Sequence, residues 1–288
     1  MIETGGDAIG PTAKPAAGPR AQGLGIALVG FSIAAWSAMC GIGGGLFAVP
    51  VLHYVYKLSL KDSVVTSLSL VAAATISATL SEMFRDDSAI DWGIVAGLAA
   101  GCLVGAPIGF RVARRIETRP LKMVFIVILV LVAARIFGFI GTAHAASPDG
   151  LLLPGIGGMD YVVAVCVGLG GGFVAPLLGI GGGLVAVPAL LFTVPVLGHL
   201  GARACSMAMA TVTSTRSLAM YYKAGELDLR RSASFAGGAA VGAIVGVQLV
   251  HLENVTDAAQ KMLGATLLIV AARFVWDVRK KPATESGD

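Results

Sequence analysis

The segment GIGGGLFAVPVL at Gly41 to Leu52 returns as GIGGGLVAVPAL at Gly179 to Leu190, with ten of twelve positions identical at an offset of 138 residues. Chance does not give two Gly-rich segments so particular an order, so the chain is two halves of one design. VAARIF from Val132 recurs as VAARFV from Val270 at the same offset. Between these anchors Thr66 to Ser77 aligns loosely with Ser206 to Ser217, and Gly105 and Gly109 align with Gly242 and Gly246. Each half therefore runs through a Gly-rich break, a Ser/Thr-rich helix, a Gly-rich helix and a final helix ending near VAAR. Many transporter folds show internal duplication of this kind.

The stretches between the anchors are apolar runs of about twenty residues, the length a helix needs to cross a hydrocarbon core of about 30 Å. With 56% hydrophobic and only 13% charged residues, the chain has too little charge to cover a water-facing surface, so lipid is the solvent for much of it. A spanning backbone must satisfy its hydrogen bonds internally, as helices or as a closed barrel, and a barrel would show alternating segments of about ten residues. The expectation is an all-α polytopic membrane protein with helices near 24–40, 46–56, 63–84, 90–112 and 121–140, then 161–178, 184–197, 202–222, 229–250 and 258–276. The domain reading is a Pro/Gly/Ala-rich tail at 1–22, a first repeat at 23–141, a linker at 142–158, a second repeat at 159–278 and a tail at 279–288. No cleavable signal peptide is evident. Cys40, Cys102, Cys166 and Cys205 fall singly in apolar segments and read as small membrane-buried side chains, neither disulfides nor metal ligands. No cofactor is expected.

Charge decides how the halves are inserted, because Lys and Arg accumulate on the cytoplasmic side. Setting aside Arg135, Arg216 and Arg273, inside or at the ends of helices, 18 cations remain in tails and loops. If each half crosses an even number of times, they divide nine against nine. If each crosses an odd number, 15 share one side and only Arg85, Arg203 and Lys261 lie opposite. Corresponding loops also swap character: basic RVARRIETRPLK matches acidic HLENVTD, and acidic RDDSAID matches KAGELDLRR with its basic end. The expected fold is thus two inverted-topology repeats with both termini cytoplasmic and the 142–158 linker periplasmic. An odd count needs a hairpin at GIGGG, since 46–56 covers only about 17 Å at 1.5 Å per residue. Re-entrant and fully crossing hairpins give the same count. The cations sit between apolar segments and not on one face, which excludes a nucleic-acid partner.

The glycines of GIGGG permit positive φ and close backbone approach, then hand the chain to a helix. That helix begins with unpaired N–H groups and a positive dipole end, which favour an anion. Pro50 and Pro188, a turn further in, remove a hydrogen bond and bend the half-helix. Two such turns in an inverted repeat face each other near the midplane, so Gly41, Gly43, Gly44, Gly45, Gly179, Gly181, Gly182 and Gly183 are the candidate binding residues. The competing reading is tight packing by small residues, as in GxxxG interfaces. A nucleotide loop is disfavoured because no Lys-Ser/Thr follows the glycines. Hydroxyls of the Ser/Thr-rich helices either bond their own backbone or replace water around a polar solute, which adds Thr66, Ser67 and Ser206. Arg216 stands inside a predicted helix opposite Ile76 of the first half, so the repeat does not demand it. It either contacts the anion or snorkels toward the end marked by Lys223. Arg135 and Arg273 read as interfacial anchors, and His53 and Glu82 as proton relays or structural groups.

The paired GIGGG segments within this hydropathy pattern resemble the sulfite exporter TauE/SafE family, also called the toluene-sulfonate uptake permease family, over about Gly23 to Val278. The resemblance implies a bacterial inner-membrane carrier of sulfur-containing anions such as sulfite, sulfonates or sulfoacetate. Direction stays open, with export preferred. It carries over to Gly41 to Gly45 with Pro50 and to Gly179 to Gly183 with Pro188, and gives Arg216 no role. No ATPase motif is present, so an ion gradient, first H⁺, is the expected drive. The partners are a small anionic solute and the bilayer. An anion channel and a membrane-embedded enzyme are the rivals, the second weakened by the absence of HExxH, GxSxG or paired intramembrane carboxylates.

Overall fold

The computed structural model describes residues 19–86, 88–115, 157–227 and 229–250, with single positions at 123, 126, 127, 130, 268, 272, 275 and 276. The predicted helices at 121–140 and 258–276, both tails and nearly all of the 142–158 linker lie outside the described residues. In the first half, α1 is Pro19–Cys40, α2 Gly45–Pro50, α3 Leu60–Met83 and α4 Trp92–Arg115. In the second, α5 is Gly158–Leu178, α6 Gly183–Thr193, α7 Gly198–Lys223 and α8 Leu229–Val250. Among the described residues, four helical segments are long and apolar enough to cross a membrane: α3, α4, α5 and Ser232–Leu249 within α8. The protein is a multi-pass membrane protein.

Local chemistry sets the ends of these helices. α3 begins three residues before its apolar run because Ser59 caps it, accepting from the Asp62 N–H at 3.1 Å and donating to the Asp62 carboxylate at 2.7 Å. Pro50 lacks an N–H and its ring crowds the preceding turn, and the chain widens at once into a π-helical turn, Val51–Val55, closed by Tyr56 N–H donating to Val51 O at 3.3 Å. The second half-helix stays α-helical through position 188.

The halves exchange partners. Gly101, Gly105 and Gly109 of α4 lie against the backbone carbonyls of Val165, Leu169 and Phe173 of α5. Gly238, Gly242 and Gly246 of α8 lie the same way against Ala27, Phe31 and Ala35 of α1. Residue numbers rise together along both contacts, so each pair runs parallel. Without side chains, these Gly stripes let the backbones approach closely, the same device that packs helices where lipid removes the hydrophobic drive. The Ser/Thr-rich helices α3 and α7 instead run antiparallel, since Glu82 meets Arg203 while Thr79, a turn earlier, meets Thr211 at 3.2 Å. All four cysteines are free; Cys166 lies on the outer surface of the apolar helix α5, whereas the other three are buried between helices.

Candidate functional site

Each GIGGG segment breaks its helix with the same dihedral pattern. φ is +77°, +81° and +96° at Gly41, Gly43 and Gly44, and +71°, +76° and +85° at Gly179, Gly181 and Gly182. An L side chain in the left-handed region costs about 1–2 kcal/mol per residue, so three glycines per turn are a conformational requirement. Gly44 and Gly182 are the N-caps of α2 and α6. Residues 41–45 and 179–183 are all buried.

The two turns touch. The Gly179 carbonyl oxygen lies against Gly45, closer than a Cβ there would permit. A Cβ at Gly183 would stand 3.1 Å from Gly41 O and 3.2 Å from Ile42 O. The first residue of each half-helix therefore packs against carbonyl oxygens of the opposite turn. Ser67 donates to Gly179 O at 2.8 Å, and Ser206 contacts Gly41 O and Gly183 O, both at 3.2 Å. Each hydroxyl comes from one half and holds the turn of the other.

These reciprocal bonds set the register of α3 against α7. Ser67 matches Ser206, an offset of 139, and the same offset pairs Thr75, donating to Val71 O at 2.8 Å, with Ser214, donating to Ala210 O at 2.6 Å. The loose sequence alignment is thus shifted by one residue, and Arg216 stands opposite Ser77, not Ile76. Val71, midway along α3, reaches both turns: its Cγ1 lies 3.2 Å from a Cβ built on Gly43 and 2.5 Å from one on Gly181. α3 spans about 32 Å from Lys61 to Glu82 at 1.5 Å per residue, so the turns meet near its middle.

Of the predicted site residues, the structure brings together the eight glycines, Ser67 and Ser206. Thr66 is buried without reaching a turn, its carbonyl accepting from Ser69 at 2.7 Å. Thr75, Thr211, Thr213 and Ser214 donate within their own helices. His53 pairs through Nδ1 with Leu58 O at 2.9 Å. Arg216 is exposed, about 240° around α7 from Ala210, which faces Gly181.

Among the described residues the buried cation is Arg203. Counted above among loop residues, it lies inside α7 with 0% exposure, and Nη2 donates to Glu82 Oε2 at 2.7 Å while Nη1 donates to Ala38 O at 3.3 Å near the end of α1. Its stem packs on Gly41, where a Cβ would meet Arg203 Cγ at 2.6 Å. Removing one member of such a pair strands the other and typically costs about 3–5 kcal/mol. A signal was present in the sequence: one acid ends α3 and one base begins α7, which antiparallel helices bring together.

A cavity of about 190 Å³ lies at the other end of α3, lined by Lys61, Val64, Ala113, Arg114, Leu177, Tyr221 and Glu226. Arg114 pairs with Glu226 at 3.0 Å, and Tyr221 donates to Pro176 O at 2.9 Å. Val64 also touches the second turn, its carbonyl oxygen 2.8 Å from a Cβ built on Gly179.

No curated protein and no solved structure matches the chain. The family model for the sulfite exporter TauE/SafE matches it in two segments, residues 7–136 and 164–287, which follow the two repeats. Paired Gly turns, duplicated helices and a match over most of the chain converge: the chain belongs to the sulfite exporter TauE/SafE family, a family of membrane transporters for sulfur-containing anions.

Proposed function

We propose that the protein is a secondary carrier of a small sulfur oxyanion, such as sulfite, a sulfonate or sulfoacetate, in a bacterial inner membrane. The anion is held where the two Gly turns meet, between the N-termini of α2 and α6, with Ser67 and Ser206 as neutral donors. The observation that carries this reading is the mutual contact of the turns at mid-length of α3. Carbonyl oxygens of each turn stand at the other's helix N-terminus, so an oxyanion that parts the turns exchanges one set of oxygens for another. The halves are inserted in opposite orientations, with both termini cytoplasmic. That orientation is supported by the charge bias and by the antiparallel meeting of the counterpart helices α3 and α7. Movement of one half against the other about this contact gives alternating access, and an H⁺ gradient drives it.

Purified protein in proteoliposomes, supplied with labelled sulfite and a panel of sulfonates, tests the reading. Saturable uptake with accelerated counterflow is the expected result and separates a carrier from a channel. No flux of any panel member, or flux without counterflow, would overturn it.

A further inference from the structure

The buried charged side chains among the described residues are Arg203 and Glu82, and the carrier reading gives neither a task. Arg203 Nε, fully buried, has no hydrogen-bond partner, although buried donors almost always find one. Its stem rests on Gly41, so the guanidinium stands beside the first turn.

The repeat supplies a comparison within the molecule. The register of α3 on α7 matches Arg203 to Val64 and Glu82 to Tyr221, and the repeat offset matches Ala38 to Pro176. Tyr221 donates to Pro176 O as Arg203 donates to Ala38 O. Around Val64 and Tyr221, however, a cavity opens, with Lys61 and Arg114 on its lining. At the matching place in the other half stands the Arg203–Glu82 ion pair.

We propose that Arg203 is the cation that receives the transported anion at the first Gly turn, and that Glu82 is the carboxylate the anion displaces. The proposal rests on the carrier reading. A guanidinium presents two parallel N–H donors along one edge, which fit two oxygens of a sulfite or sulfonate. The anion engages the unpaired Nε–H and an Nη–H that Glu82 gives up. Glu82, displaced from Arg203, takes up one proton as the anion enters, which keeps the charge of the site unchanged. The charge balances: Arg⁺ with Glu⁻ becomes Arg⁺ with a monovalent anion and a neutral acid. One proton therefore accompanies each anion and leaves when the pair re-forms. The titratable and charged groups on elements around Glu82 are Arg203 from α7, Arg85 and Asp86 just past its own helix, His53 and Tyr54 on the π-helical turn, and Asp91 before α4. α8 contributes neutral Gln248, which accepts from Arg85 at 3.0 Å.

The test uses the full chain in proteoliposomes with labelled sulfite, and with methanesulfonate beside it because its charge does not change with pH. A trapped pH dye counts protons. Arg203→Lys, which keeps the charge and loses the fork, should raise the half-saturating concentration of both anions at least tenfold. Glu82→Gln should leave whatever flux remains without an accompanying proton. The double variant Arg203→Met/Glu82→Leu replaces the pair with apolar side chains, which folded proteins commonly tolerate, and should lose saturable transport while still purifying as a folded protein. Unchanged affinity in the Lys variant, an unchanged proton-to-anion ratio in Glu82→Gln, or saturable transport by the double variant would overturn the proposal and leave the carrier reading intact. Should the double variant not fold, the two single variants decide. Absence of flux in the unaltered protein would overturn the carrier reading, and this proposal with it.

Discussion

Gly45 and Gly183 hold the same position in the repeated motif, yet replacing each by Ala should have unequal consequences. Neither has positive φ, so Ala adds no dihedral strain at either place. At Gly45 the new Cβ would collide with the Gly179 carbonyl oxygen and stand 2.8 Å from its carbon, and these are backbone atoms of a turn that cannot yield without moving. Overpacking of that kind costs about 1–3 kcal/mol, and a rigid obstacle puts Gly45→Ala at the upper end. At Gly183 the nearest atoms are Gly41 O and Ser206 Oγ, both at 3.1 Å, so a shift of a few tenths of an ångström and a rotation of the serine relieve the contact. Against that stands a gain of about 0.4–1 kcal/mol from the stiffer unfolded chain, which leaves Gly183→Ala near neutral. The expected difference is about 2 kcal/mol, built from these two terms. Thermal unfolding of the two purified variants, followed by intrinsic fluorescence, reads it, and sulfite uptake should fall at least tenfold in Gly45→Ala alone. Equal melting shifts, or a greater loss in Gly183→Ala, would refute the account of how the turns meet.

Three further outcomes are expected. A single cysteine at Ser88 should be labelled from outside the cell and one at Glu226 should be protected, both positions being exposed in the fold; labelling of both from one side would exclude oppositely inserted halves. Gly44→Leu and Gly182→Leu should abolish sulfite uptake while the protein still inserts, because each places a side chain at φ +96° or +85° in the contact between the turns; normal uptake by either would reduce the turns to packing elements. Arg216→Gln should change the half-saturating sulfite concentration by less than about twofold, since exposed, unengaged groups contribute little; a tenfold loss would return Arg216 to the site.

Membrane class, duplication, the positions of the Gly breaks and the family are all legible in the linear chain. Those properties are written locally, in hydropathy averaged over twenty residues and in a motif that needs left-handed glycines. Among the described helices, α8 has the predicted bounds 229–250, while α3 starts earlier than its apolar run because the Ser59 cap draws in Lys61 and Asp62. The register of α3 on α7 emerges only in the folded chain, because hydroxyl-rich helices align about equally well one residue apart until Ser67 and Ser206 choose their carbonyls. Folding also moved the charge of interest from Arg216 to Arg203. A mid-helix arginine stands out in a hydropathy reading, whereas one near a helix start looks like a loop cation. What identifies Arg203 is a carboxylate 121 residues away, and which helix ends meet is settled by packing. The same holds for Gly45 and Gly183, whose identical local sequence leaves them equivalent until the backbone of the opposite turn comes to lie closer to one than to the other.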